Sequence, residues 1–188
     1  MRETDNILRI LEETKIAIET GNYSKIKNLS NQTINTASLT QDPDNIAVAV
    51  VVYSLNKILE REHYKQYPEW EKIHKIIIYS LECSIEDLEK NDLKDFRKDF
   101  ENIRSCIKKI SGKLREYIQD VFRKAQINKA SRIYEHGISI GRTAELLGIS
   151  RFELMDYVGK TYIADVGGIT ISVRKRIQIA RGLFSWNQ

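Results

Sequence analysis

The 188 residues suffice for one ordinary domain or two small ones, and a 41% hydrophobic content with only two prolines is enough to bury a core and too apolar for a disordered chain. The longest apolar run, Ile46 to Leu55, is about half of a membrane span, and no signal peptide is read at the start, so a cytoplasmic protein without membrane contact is expected. The net charge of +4 hides a division: residues 1–100 carry 14 Lys and Arg against 18 Asp and Glu, residues 101–188 carry 16 against 8, so any polyanion would be sought by the C-terminal half.

Ile7, Ile10, Leu11 and Ile18 recur on one helical face and predict a first helix to about Thr20, stopped by Gly21-Asn22. From Tyr23 to about Leu39 a second segment is weakly apolar and rich in Asn, Ser and Thr, which suggests a solvated face or a binding surface. Asp42 is a helix cap with Pro43 in the first turn, where its missing N–H has no intrahelical partner anyway. The β-branched run that follows continues to Arg61, too long for a strand, so it predicts a buried helix. A connector, HYKQYPEW, leads to a fourth helix marked by Trp70, Ile73, Ile77, Leu81, Ile85 and Leu88, ending near Asn91. Leu93, Phe96, Phe100, Ile103, Ile107, Ile110, Leu114, Tyr117 and Val121 then alternate spacings of three and four. That is an a/d seam over one long fifth helix, capped by Asp92 and weakened at Gly112; it packs inside the bundle or serves a homodimer.

The segment Gly137 to Lys160, GISIGRTAELLGISRFELMDYVGK, is two short apolar-patterned stretches hinged on Gly148. Ala144 sits four residues before the hinge, where two helices cross and a larger side chain would clash. Leu147 and Ile149 flank the turn and point inward, Leu154 and Tyr157 are the buried positions of the second helix, and Ser139 caps the first. Ser150 and Glu153 form a capping box, each side chain satisfying a free backbone N–H. This is the pattern of a helix-turn-helix.

The stretch over about residues 131–160 resembles the helix-turn-helix of a family of small, uncharacterised prokaryotic proteins described as antitoxin-like. The residues that carry the likeness are Gly137, Ile138 and Ser139, then Gly141, Ala144, Glu145, Leu146, Gly148, Ile149 and Ser150, then Phe152 and Glu153. The resemblance implies a DNA-binding module and leaves the helical first 125 residues outside it, so no toxin partner is implied.

The presented helix exposes Ser150, Arg151, Met155, Asp156 and Lys160, a nearly neutral set in which Arg151 alone suits base-edge reading. The other cations surround the motif. Lys108, Lys109, Lys113, Arg115, Arg123, Lys124, Lys129 and Arg132 precede it, Arg142 lies within it, and Arg174, Lys175, Arg176 and Arg181 follow on an amphipathic C-terminal helix. A short hairpin near 162–173, turning at Gly167-Gly168, is an alternative to a plain loop there. Such a rim fits binding dominated by phosphate contacts, on DNA or structured RNA.

No phosphate loop, nucleophile elbow or HExxH occurs, and Cys83 and Cys106 fit no metal spacing or disulfide framework. The pair Arg132 and His136 falls one residue short of the spacing of HEPN-type helical nucleases, so no enzyme, cofactor, metal or small-molecule substrate is expected. The expectation is an all-α homodimer: a helical bundle over 1–126, possibly the dimerising part, then a helix-turn-helix module with a basic C-terminal helix over 127–188. It would act as a DNA-binding regulator; an RNA- or ribosome-associated factor, and a protein-interaction adaptor using Phe152, Met155 and Asp156, are the alternatives.

Overall fold

The computed structural model describes residues 1–108 and 112–161, and within them every regular element is a helix. In chain order these are α1 (Thr4–Glu19), α2 (Tyr23–Thr40), α3 (Pro43–Leu59), a 3₁₀ turn (Glu62–Gln66), α4 (Trp70–Glu89), α5 (Leu93–Lys108), α6 (Gly112–Glu135), α7 (Ile140–Leu147) and α8 (Arg151–Thr161). The fold is all-α. The C-terminal helix and the hairpin expected near 162–173 lie outside the described residues, as do Arg174, Lys175, Arg176 and Arg181.

Three of the junctions repeat one device. A left-handed residue closes one helix and the next residue caps its successor. Gly21 (φ 69°) precedes Asn22, whose side chain accepts from the Lys25 N–H at 3.2 Å. Gln41 (φ 51°) precedes Asp42, which accepts from the Asp44 N–H at 2.9 Å. Asn91 (φ 59°) precedes Asp92, which accepts from the N–H groups of Lys94 and Asp95, both at 3.1 Å. Each turn therefore satisfies backbone groups that two helix ends would otherwise leave unpaired, in the shortest possible link.

α3 is the central element. Val48, Val51, Val52, Leu55, Ile58 and Leu59 enter a first core shared with α1, the start of α2, α4, α5 and the start of α6, while Ile46, Ala49 and Val50 enter a second core with the rest of α2 and α6–α8. A helix apolar around most of its circumference must be largely buried, as its sequence predicts, and here only Pro43 and Ala47 are exposed.

Two expectations are corrected. The stretch expected as one long fifth helix is described in two parts, α5 and α6, with residues 109–111 and hence Ile110 outside the described residues. The two parts have different neighbours: α5 packs on α4, and α6 packs on α3 and α2. The seam also changes face. Phe96, Phe100 and Ile103 are buried in α5, but in α6 Ile118 joins Leu114 and Val121 inside while Tyr117 is 44% exposed. A strict heptad drifts about 20° per repeat on a straight helix, so an a/d reading taken across both helices misassigns the later positions. Second, the polar residues of α2 are not simply a solvated face. Ser30, Thr33 and Ser38 are buried, and their hydroxyls donate to the carbonyls of Ala49 (2.9 Å), Leu29 (3.1 Å) and Ile34 (2.8 Å). A small hydroxyl bonded to a backbone carbonyl is satisfied in a core without water.

Candidate functional site

α6 ends at Glu135, and Gly137 (φ 90°) turns the chain into Ser139, whose hydroxyl accepts from the Arg142 N–H at 3.3 Å and starts α7. α7 ends in a Schellman turn. Gly148 (φ 62°) donates its N–H to the Glu145 carbonyl at 3.2 Å, and Ile149 donates to the Ala144 carbonyl at 3.0 Å. Only glycine adopts that left-handed conformation without steric cost. The capping box then opens α8: the Glu153 N–H donates to the Ser150 hydroxyl oxygen at 3.2 Å, and the Ser150 N–H donates to the Glu153 carboxylate at 3.0 Å. The hydroxyl of Ser150 donates to the same carboxylate at 2.7 Å.

α6 holds this hairpin from behind. The Arg123 guanidinium pairs with the Glu153 carboxylate, the Gln126 amide donates to the Leu147 carbonyl at 3.4 Å, and the Asn128 amide donates to the Tyr157 hydroxyl at 3.4 Å. The Ser150 side chain and backbone, with Arg123 adding to them, hold the Glu153 carboxyl down at about 2, well below its ordinary 4.5. The hairpin's apolar side completes the second core. Ala144, Leu147, Ile149, Leu154 and Val158 are buried against Ala125, Ala130 and Ile133 of α6 and against residues of α2 and α3. Tyr157, expected inside, is only half-buried; Val158 is the buried residue one position on, and Tyr157 lies at the edge where its hydroxyl meets Asn128.

The outer side carries Arg142, Ser150, Arg151 and Lys160, all exposed as expected. They are not electrostatically equal. Arg142 pairs with Glu145 at 3.0 Å and Lys160 with Asp156 at 2.6 Å, whereas Arg151 makes no ion pair with a described residue. Ser139, Gly141, Arg142, Glu145 and Arg151 line a shallow groove of about 480 Å³ between the start of α7 and the start of α8. The Arg151 guanidinium lies against Gly141 so closely that a Cβ there would stand 3.3 Å from it.

Among the described residues the basic rim is thinner than the sequence suggests; Lys109 and the side chain of Lys108 lie outside them. Lys113 and Arg115 are exposed, but Lys124 pairs with Asp120 at 2.7 Å and Arg132 with Glu135 at 3.0 Å. Lys129 is not on the rim at all: it is 1% exposed, inside the α2–α6 contact. The spacings of three and four between these opposite charges were readable in the sequence as intrahelical pairs. The burial of Lys129, and the Arg123–Glu153 pair 30 residues apart, had no such signal.

Beside these features, α8 presents Phe152, 84% exposed, and Met155, 53% exposed, one turn apart. Among the described residues no helix is long and apolar enough to cross a membrane. Comparison with known proteins finds no matching family model, no matching curated protein and no matching solved structure.

Proposed function

We propose that the α7–α8 hairpin is a nucleic-acid-binding helix-turn-helix of the antitoxin-like type its residues resemble, that the protein binds DNA as a homodimer, and that it acts as a regulator. The observation that carries the reading is Arg151. It is the first residue of α8, exposed and without a carboxylate partner among the described residues, beside a groove it shares with Arg142. An unpaired guanidinium on a helix held by two caps and by α6 is suited to a bidentate contact with a base edge or a phosphate. The near-neutral remainder of α8 leaves phosphate contacts to the surrounding cations, so binding would weaken steeply with salt.

The test is recovery of bound partners from native extract, with sequencing of any nucleic acid, followed by titration of the preferred sequence with wild-type protein and Arg151→Ala. DNA fragments sharing a palindrome, and a loss of about 1–3 kcal/mol in the variant, are the expected results. Recovery of ribosomal RNA would redirect the reading to an RNA-associated factor. Phe152 and Met155 favour a second reading, a protein-interaction adaptor, because large apolar side chains so exposed on a presented helix suit a protein partner. Protein partners that survive nuclease treatment, with no nucleic acid recovered, would select it.

A further inference from the structure

Lys129 is among the largest fully buried side chains of the protein, yet it touches no carboxylate of a described residue. Its ammonium nitrogen donates to the Asn31 amide oxygen at 3.2 Å and stands 4.2 Å from the centre of the Tyr53 ring. Asn31 is itself exposed, so the amide that holds this nitrogen reaches water. Among the described residues the charged groups that act on Lys129 are cations, and the nearby carboxylates Glu135 and Glu60 are paired with Arg132 and Lys57. Lys27 of α2 and Arg132 of α6 both act on it repulsively, and Lys57 of α3 shares the Tyr53 ring at 5.8 Å. A charged ammonium has three N–H donors to satisfy, and here it meets one oxygen and one ring face. Buried charge without a counterion is costly, and the group responds by losing its proton or by leaving.

The contact it occupies matters for the hairpin. α2 and α3 meet α6 here, one polar pin being Asn31–Lys129 and the other His136, whose ring lies 3.1 Å from the Asn35 amide oxygen. Beside these pins lies the second core, which the hairpin shares with α2, α3 and α6.

We propose that Lys129 is a proton-operated latch between the α2–α3 pair and the helices that carry the hairpin. As a neutral amine it lies inside the seam under Asn31; on taking up a proton it leaves past Asn31, and the seam loosens. Burial foremost, with Arg132 and Lys27 adding to it, pushes the amine down to about 7 from its ordinary 10.5. Between those two values the unfolded chain holds a proton that the folded chain does not, so stability rises with pH across that window. The penalty is complete below about 7 and gone above 10.5.

The test uses the full chain with lysine labelled at the ε carbon, followed by NMR from about pH 5.5 to 10.5. One lysine resonance is expected to titrate near neutrality and to vanish in Lys129→Met. In Asn31→Ala, which opens the amine to water, the same resonance should titrate at distinctly higher pH. Amide exchange along residues 125–135, corrected for its intrinsic pH dependence, should be faster at about pH 6 than at about pH 9 in wild type and equal in Lys129→Met. In urea, the ratio of the wild-type unfolding constant to that of Lys129→Met should fall by up to about tenfold per pH unit above neutrality. Should Lys129→Met not fold, Lys129→Gln assigns the resonance and the wild-type titration alone decides. All lysines titrating together in the ordinary range, or an Asn31→Ala titration no different from wild type, would overturn the latch.

Discussion

The two cores of this protein are built from different materials. The first, among α1 to α5, the 3₁₀ turn and the start of α6, is filled by large side chains such as Ile10, Leu55, Leu81, Tyr64 and Phe96, each at most 2% exposed. The second, where α2, α3 and α6 meet the α7–α8 hairpin, sets Ala37, Ala49, Ala125, Ala130 and Ala144 among aliphatics such as Ile133, Leu147 and Leu154, whereas among the described residues Ala17 is the one buried alanine of the first. Large side chains stabilise by the apolar area they remove from water. Small ones contribute less area but let helix backbones approach, so the geometry there is set by shape. The comparison teaches that the first core supplies most of the hydrophobic stabilisation, whereas the second aims the hairpin.

The sharpest way to break this contrast is to truncate one core and overfill the other. Leu55→Ala should cost about 2–5 kcal/mol in urea unfolding, through lost burial and a residual cavity. Ala144→Leu, an apolar gain in composition, should nonetheless cost about 1–3 kcal/mol, because Ala144 is buried in the second core and the added atoms must displace its neighbours. If Ala144→Leu proves neutral, the second core is loose and the contrast fails.

Finer effects belong to the turn itself. Gly148→Ala forces a side chain into the left-handed region and should lower stability by about 1–2 kcal/mol, read as a shift in the urea midpoint at unchanged slope. Ser150→Ala removes one half of the capping box and should cost about 1 kcal/mol. The other half is readable through pH. Because the Glu153 carboxyl is held at about 2 against an ordinary 4.5, its contribution is complete above 4.5 and is lost as the pH falls toward 2. Glu153→Gln should flatten that part of the acid-unfolding profile; an unchanged profile would mean that Arg123 and Ser150 do not favour the carboxylate in solution.

Much of this was legible residue by residue where the physics is local. Asn22, Asp42, Asp92, Ser139 and the Ser150–Glu153 box were all readable as caps or stops, because a cap concerns atoms within three residues of each other. Ala144, Leu147, Ile149 and Leu154 were readable as the inner face of the hairpin, because a helix-turn-helix imposes its spacing on a short stretch. Tyr157 failed at the margin: Val158 is its neighbour in sequence, and which of the two turns inward depends on where α6 lies. The α2 hydroxyls and Tyr117 failed for the same reason. Composition makes Ser30 and Thr33 look solvated, and only the presence of α3 and α6 above them makes them core.

From the sequence alone came the all-α class, the ends of the first four helices and the hairpin with its hinge and caps. Each rests on periodicity or on hydrogen bonds between near neighbours, which the chain carries wherever it folds. The tertiary structure alone decided that α5 and α6 serve different partners, that Arg123 reaches Glu153, that Arg151 has no carboxylate partner among the described residues, and that Lys129 is buried under Asn31. Those outcomes depend on which helix face meets which, and burial and charge pairing across tens of residues are properties of that meeting and not of any one segment.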